Sequence, residues 1–291
     1  MPHEMIGRKT DVLDHGFVEL LDVMGDDHAI AQAARCSTQR SDKTDGDDRA
    51  LIFRLMKDRH TSPFEMVEFK FNCKMPIFVA RQWVRHRTAS LNEMSARYSV
   101  LPGEFFTPES FRAQSKGGNK QVAEGEIDPV LQDALAGKYK DMAGRSYDLY
   151  ETAIARGVGR ELARTCLPLS IYTQWFWKID LHNLFHFLGL RLAPDAQYEI
   201  RVYAEAMAEM VKQIVPMAWA AFEEYRLGAV ALSKSEVAAA TAVREAADEV
   251  AEVAFMAGHS IPNGPGGPSM IAHDEGCAVC SALMKYYELI A

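Results

Sequence analysis

The stretch from Glu65 to Lys74 constrains this chain most. Val67, Phe69, Phe71 and Cys73 alternate with Glu68, Lys70, Asn72 and Lys74. A period of two places the apolar set on one face and the polar set on the other, as in a half-buried strand. A strand of that kind needs a covering layer. Pro76 fits the first turn of a helix running through Ile77, Phe78, Ala80 and Trp83.

The rest of the chain continues the mixture. Residues 15–24 read as an apolar strand, and Asp26 and Asp27 suit the start of a helix through Arg35. Residues 37–49 form a polar loop whose last aspartates, Asp47 and Asp48, suit the start of a helix through Lys57. Residues 103–130, rich in Gly, Pro, Ser and charge, read as an irregular excursion. Helices are expected over 131–155, closed by Gly157, and over 159–166. The aromatic, β-branched run 169–179 favours a strand. Residues 181–192 return to helical spacing, and a long helix over 196–227 is bent at Pro216. Composition shifts at Gly228. Residues 229–257 read as an Ala-rich helix, 258–269 as a Gly/Pro linker and 280–290 as a short helix. These readings give an α+β body over 1–228 and a helical C-terminal extension over 229–291.

Charge and cysteine content narrow the partners. Acidic residues number 40 against 32 basic, a formal charge of −8, which disfavours a broad nucleic-acid surface while leaving room for a local basic pocket. No apolar run approaches the ~20 residues of a membrane span. The first residues carry His3, Glu4, Arg8 and Lys9 and lack the apolar core of a secretory signal. The cysteines are five and scattered: Cys36, Cys73, Cys166, Cys277 and Cys280. An odd, dispersed set fits a reduced, cytoplasmic chain.

The densest polar cluster lies between Arg81 and Arg97. It holds four arginines, His86, Glu93 and two serines between apolar anchors. A solvated helix end with ion pairs would explain such a cluster without function. Arginine forks mixed with Ser, Asn and Gln instead suit an anionic small molecule such as a nucleotide.

Arg85-His86-Arg87, seven further residues and then Ser95 resemble the signature of the flavin-dependent thymidylate synthases. The segments 16–25, Ser62-Pro63-Phe64-Glu65, 76–83, 163–169, Phe187 to Arg191 and 196–199 are similar to that family too, so the resemblance spans about residues 11–227. It implies a central mixed, twisted sheet flanked by helices. It implies a methyltransferase that converts dUMP to dTMP with 5,10-methylenetetrahydrofolate, FAD and NADPH, and a homotetramer with active sites between subunits.

Residue by residue, the resemblance implies that dUMP meets Gln82, Arg85, Glu93, Ser95, Arg97, Arg164 and Arg191, with Arg164 from another subunit. It implies that FAD meets Ser37, Ser62, Arg85, His86, Arg87, Glu93, Asp180, His182 and His186, and that His60 governs folate or flavin access. Arg191 is the catalytic candidate, its guanidinium stabilising charge on the pyrimidine; an arginine favoured by a helix C-terminus is the plain alternative. His86, between two arginines, is expected to be a neutral ring. The chain departs from the family pattern at Asp180, commonly an amide, and at Asp195, commonly a histidine.

Other thymidylate synthases attack the pyrimidine with a cysteine, but no cysteine falls in the signature. Cys73 and Cys166 read as buried thiols, and Ser95 has no neighbouring base to make it a nucleophile. An enzyme on another uridine nucleotide and an inactive nucleotide-binding regulator are the rival readings. In the tail, His273, Cys277 and Cys280 resemble half a zinc site, with His259 available as a fourth ligand. A reduced cysteine pair at a helix start is the favoured reading, and no metal is expected.

Overall fold

A computed structural model describes residues 4–36, 45–116 and 123–256. The described residues fall into two units, divided after Ala229. The first contains β1 (Lys9–Val12), β2 (Gly16–Met24), α1 (Asp27–Cys36), α2 (Asp45–Lys57), β3 (Glu68–Pro76), α3 (Ile77–Trp83), β4 (Ser90–Glu93), β5 (Arg112–Gln114) and β6 (Ala123–Glu126). It continues with α4 (Pro129–Ala155), α5 (Arg160–Ala163), β7 (Tyr172–Asp180), α6 (Leu181–Arg191), α7 (Tyr198–Ile214) and α8 (Pro216–Phe222). In the second unit, α9 spans Lys234–Met256.

Five strands make one sheet flanked by helices, antiparallel throughout rather than mixed as expected, in the order β1-β2-β3-β7-β4. The alternating segment supplies its centre. Phe71 sits opposite Leu20 on one side and Trp177 on the other. Phe69, Phe71 and Cys73 join Val18, Leu20, Trp175 and Trp177 in the main core. The other face is polar and held by a ladder across three strands. Asn72 donates to Glu19 Oε2 at 2.8 Å and accepts from Gln174 Nε2 at 2.8 Å.

Helices α3, α6, α7 and α8 supply the residues that cover the apolar face. Trp83, fully buried at the end of α3, is the anchor. Its ring lies 5.4 Å from Trp175, 5.2 Å from Trp177 and 5.0 Å from Phe187. Pro76 closes β3 in an extended conformation and stands just ahead of α3, rather than inside the helix as expected. The proline ring fixes φ, and its ψ of 146° continues the strand.

Two further expectations are corrected. The long helix over 196–227 is interrupted, not bent. It stops at Ile214, Val215 turns out of helical conformation, and Pro216 starts α8. Pro lacks an N–H for the helical ladder, so a fresh N-terminus forms there, and the Asp27 carboxylate caps it through Met217 N at 2.7 Å and Ala218 N at 2.8 Å. The excursion over 103–130 contains the hairpin β5–β6 and a bridge between Phe105 and Ile171. β1 and β4, short and polar, carry no periodicity strong enough to read from sequence. Among the described residues, no helix is long and apolar enough to cross a membrane. The expected linker over 258–269 and helix over 280–290 lie outside the described residues.

Candidate active site

The sheet order brings two distant segments together. β3 runs into α3 and β7 runs into α6, and the two strands pair from Glu68–Asp180 to Pro76–Tyr172. Their helices therefore rise from opposite ends of neighbouring strands over the same sheet. Beyond Trp83 the chain turns, His86 N donating to Trp83 O at 2.9 Å. This turn lays Arg85, His86 and Arg87 beside α6.

Helix α6 divides its residues by side. Leu181, Leu184, Phe185, Phe187 and Leu188 enter the core. Asn183, His186, Leu190 and Arg191 line a cleft of about 310 Å³ whose other wall is Arg85, His86, Arg87 and Thr88. His182, His186 and Leu190 line a second cavity of about 270 Å³, opposite Arg59, His60, Thr61 and Arg226 and walled by Leu55, Phe64, Phe185 and Phe222. His186 and Leu190 are therefore the partition between the two spaces.

Arg191 and His86 form the centre of the first cleft. Arg191 Nε donates to His86 Nε2 at 3.1 Å. The imidazole also stands edge-on to Phe187 at 4.9 Å and tilted to His186 at 6.0 Å. Burial, then the charge of Arg191, then His186 push its pKa down from 6.5 to about 4. The expectation of a neutral ring agrees with this direction, but the cause is corrected: the cation that matters is Arg191 across the cleft, not the two adjacent arginines. A neutral ring accepting at Nε2 carries its proton on Nδ1. Burial also draws the Arg191 pKa downward. With Nε held by His86, the Nη groups remain for a ligand in the cleft.

The other expected residues lie in different surroundings. Glu93, on β4, accepts from Thr173 Oγ1 at 2.7 Å. Ser95 Oγ accepts from Arg97 N at 3.3 Å and from Arg97 Nε at 3.4 Å. Arg164 is exposed in the short turn after α5 and donates to Glu161 O at 3.4 Å. None of Glu93, Ser95, Arg97 or Arg164 lines the cleft beside Arg191. Gln82, half-buried on α3, donates to Gln197 Oε1. Asp180 caps α6, its two oxygens accepting from Asn183 N at 2.9 Å and Asn183 Nδ2 at 2.7 Å. Ser62 is exposed beside Thr61, and the second cavity is lined by Thr61 and His60. Ser37, His259, His273, Cys277 and Cys280 lie outside the described residues. Among the described residues, no cluster of His, Cys, Asp and Glu suits a metal ion.

Sequence reasoning misses Asn183, Arg59, Arg226 and Gln197. Asn183 is detectable, since it shares a helical face with His186 and Leu190. Arg59, at a left-handed φ of 60° after α2, and Arg226, donating to Met56 O at 2.9 Å and Tyr225 O at 3.1 Å, have no local signal. Gln197 becomes visible only through its contacts.

Cys73 is fully buried on the core face of β3, and burial pushes its thiol pKa well up. Cys166, expected to be buried, is only half-buried in the turn after α5, where it donates to Ala163 O at 3.3 Å and Ser146 O at 3.5 Å. Neither thiol lines either cavity. Chemically, the cleft offers guanidinium donors, a neutral imidazole and one carboxamide, a set suited to an anionic or electron-rich heterocycle.

Residues 19–217 match the family model described as thymidylate synthase complementing protein. A flavin-dependent thymidylate synthase from Thermus thermophilus is 58% identical over 228 residues, covering 78% of this chain and 83% of that protein. One from Gluconobacter oxydans is 54% identical, covering 77% and 75%. A crystal structure of PolB, a UMP/dUMP methylase from Streptomyces cacaoi bound with 5-Br dUMP, superposes with a TM-score of 0.68 at 30% identity, covering 75% of this chain and 99% of that one. With the cleft geometry, these similarities establish that the chain belongs to the flavin-dependent thymidylate synthase family.

Proposed function

We propose that this protein carries out reductive methylation of dUMP to dTMP, taking the carbon from 5,10-methylenetetrahydrofolate and using FAD with NADPH as reductant. The observation that carries this reading is the Arg191–His86 contact. It fixes a partly desolvated guanidinium at the wall of a cleft that also holds Arg85 and Arg87.

The chain's own part follows from that geometry. His86, accepting from Nε, orients the Arg191 fork. The Nη donors then address the carbonyl edge of a pyrimidine and stabilise negative charge that develops there, as preorganised donors do in a partly dry site. Arg85, Arg87, Asn183 and His186 supply the hydrogen-bonding wall that a flavin ring and its phosphates need. FAD, when bound, supplies the hydride that a route without a protein thiolate requires. The neighbouring cavity, with Arg59, His60 and Arg226 against apolar walls, suits a planar anionic co-substrate such as the folate.

Assembly belongs to this proposal. Glu93, Ser95, Arg97 and Arg164 do not line the Arg191 cleft within one chain, which supports a site completed between subunits. Helix α4 carries exposed Leu131, Tyr139, Met142 and Leu149, an apolar stripe suited to homotetramer contacts. A soluble, cytoplasmic enzyme agrees with the charge balance and the cysteine pattern.

The test is anaerobic. Reduced full-length protein mixed with dUMP and methylenetetrahydrofolate forms dTMP. Arg191→Ala lowers that yield at least about a hundredfold, the scale of one lost charge-stabilising donor, while flavin absorbance is retained. Wild-type turnover in the variant refutes the role of Arg191. Binding of dUMP without product in the wild type refutes the enzyme and favours a nucleotide-binding regulator.

A further inference from the structure

Four polar side chains are linked in series from the β5 strand to α3. Arg112 Nη2 donates to Glu199 Oε1 at 2.5 Å. Gln197 Nε2 donates to Glu199 Oε2 at 2.8 Å. Gln82 Nε2 donates to Gln197 Oε1. Glu199 is buried, its side chain only 7% exposed, and it stands in the first turn of α7.

The chemistry of this series has one consistent direction. An amide alone can present either its carbonyl or its NH2 to a neighbour. A carboxylate only accepts. Paired with Arg112, Glu199 accepts on both oxygens, so Gln197 must turn its NH2 toward Glu199 and its carbonyl toward Gln82. Gln82 must then donate to Gln197. Its own carbonyl oxygen and one N–H remain for whatever binds beside α3.

We infer that Glu199, acting through Gln197, is a positioning residue that sets the amide orientation of Gln82 for the nucleotide. This rests on the proposed conversion of dUMP, in which Gln82 is a substrate contact. The relay explains why a carboxylate is buried at this point. A helix-dipole partner in the first turn of α7 would serve equally well exposed, but only a buried acceptor fixes two successive amides.

Glu199→Gln tests it, because a glutamine at that position gives its carbonyl to Arg112 and turns its NH2 toward Gln197, which reverses the direction of both amides. In the full chain the affinity for dUMP, read by calorimetry, falls about fivefold, the size of one hydrogen bond. KM for dUMP rises in parallel, and kcat changes by less than about twofold. In a Gln82→Met background the same substitution changes dUMP affinity by less than about twofold, since no amide is left to orient. Gln197→Leu, which leaves the Arg112–Glu199 pair in place, gives the same pattern and carries the test if Glu199→Gln fails to fold. Equal losses in both backgrounds, or no loss in a folded variant, overturn the relay alone. Failure of the wild type to bind dUMP overturns the proposed function and the relay with it.

Discussion

At the residue scale, His86 is the most informative group. The folded state keeps it neutral down to about pH 4, whereas a free imidazole titrates at 6.5. The unfolded chain therefore binds the proton first. The stability contributed by the neutral ring is complete above about pH 6.5 and is lost as pH falls through about 4. His86→Gln removes the titration and keeps an acceptor for Arg191. Urea midpoints measured at pH 7 and pH 5 should differ less in this variant than in the wild type, modestly because the ring is partly solvent-screened; an unchanged difference would assign the acid sensitivity elsewhere. Arg226 offers a second residue-scale prediction. It faces the cavity beside His60 with only backbone carbonyls as hydrogen-bond acceptors among the described residues. Arg226→Ala should raise KM for methylenetetrahydrofolate about tenfold, the scale of one charged hydrogen bond, and leave KM for dUMP within about twofold. The reverse pattern would place dUMP in that cavity.

At the element scale, the device to test is the Asp27 cap on α8. Its carboxylate is buried and accepts from two backbone N–H groups nearly two hundred residues away in sequence. Burial raises its pKa more than those hydrogen bonds lower it. Asp27→Ala leaves two donors at a buried helix start without their acceptor, and the unfolding free energy should fall by about 2 kcal/mol. A change under about 0.5 kcal/mol in a denaturant titration would mean that water replaces the carboxylate. The sequence announces Asp26 and Asp27 as a helix start, and Asp26 does accept from Ala29 N at 3.0 Å. Asp27 serves a different helix, which no local pattern reveals. Asp180 is legible as a residue departing from the family pattern, whereas its cap on α6 is plain only from the hydrogen bonds to Asn183.

At the scale of the whole molecule, the exposed apolar side of α4 is the feature to test. Helix α4 buries only Ala143 and Tyr150 within one chain, while Leu149 is 57% exposed and Met142 50%. Met142→Glu with Leu149→Glu places carboxylates where a partner's apolar surface would have to desolvate them. If the proposed homotetramer of 32.5 kDa chains packs on α4, sedimentation should then show it shifting to smaller species, with dTMP formation falling in step as the proposed inter-subunit site is lost. A tetramer that survives both substitutions would remove α4 from the interface.

The sequence alone determined the local elements and the chemical vocabulary. Period-two alternation made β3 half-buried, and 181–192 announced α6 through its helical spacing. The Arg85-His86-Arg87 triplet with Ser95 named the family, because residue order is one-dimensional information. It did not determine which groups meet. Arg191 reaches His86 across 105 positions only because β3 and β7 pair and Trp83 seats its ring among Trp175, Trp177 and Phe187. Strand order and core packing decide those distances, and with them the neutral imidazole, the partition by His186 and the fixed direction of the Gln82 amide. These are pairwise, distance-dependent interactions, so they exist only after the chain has folded.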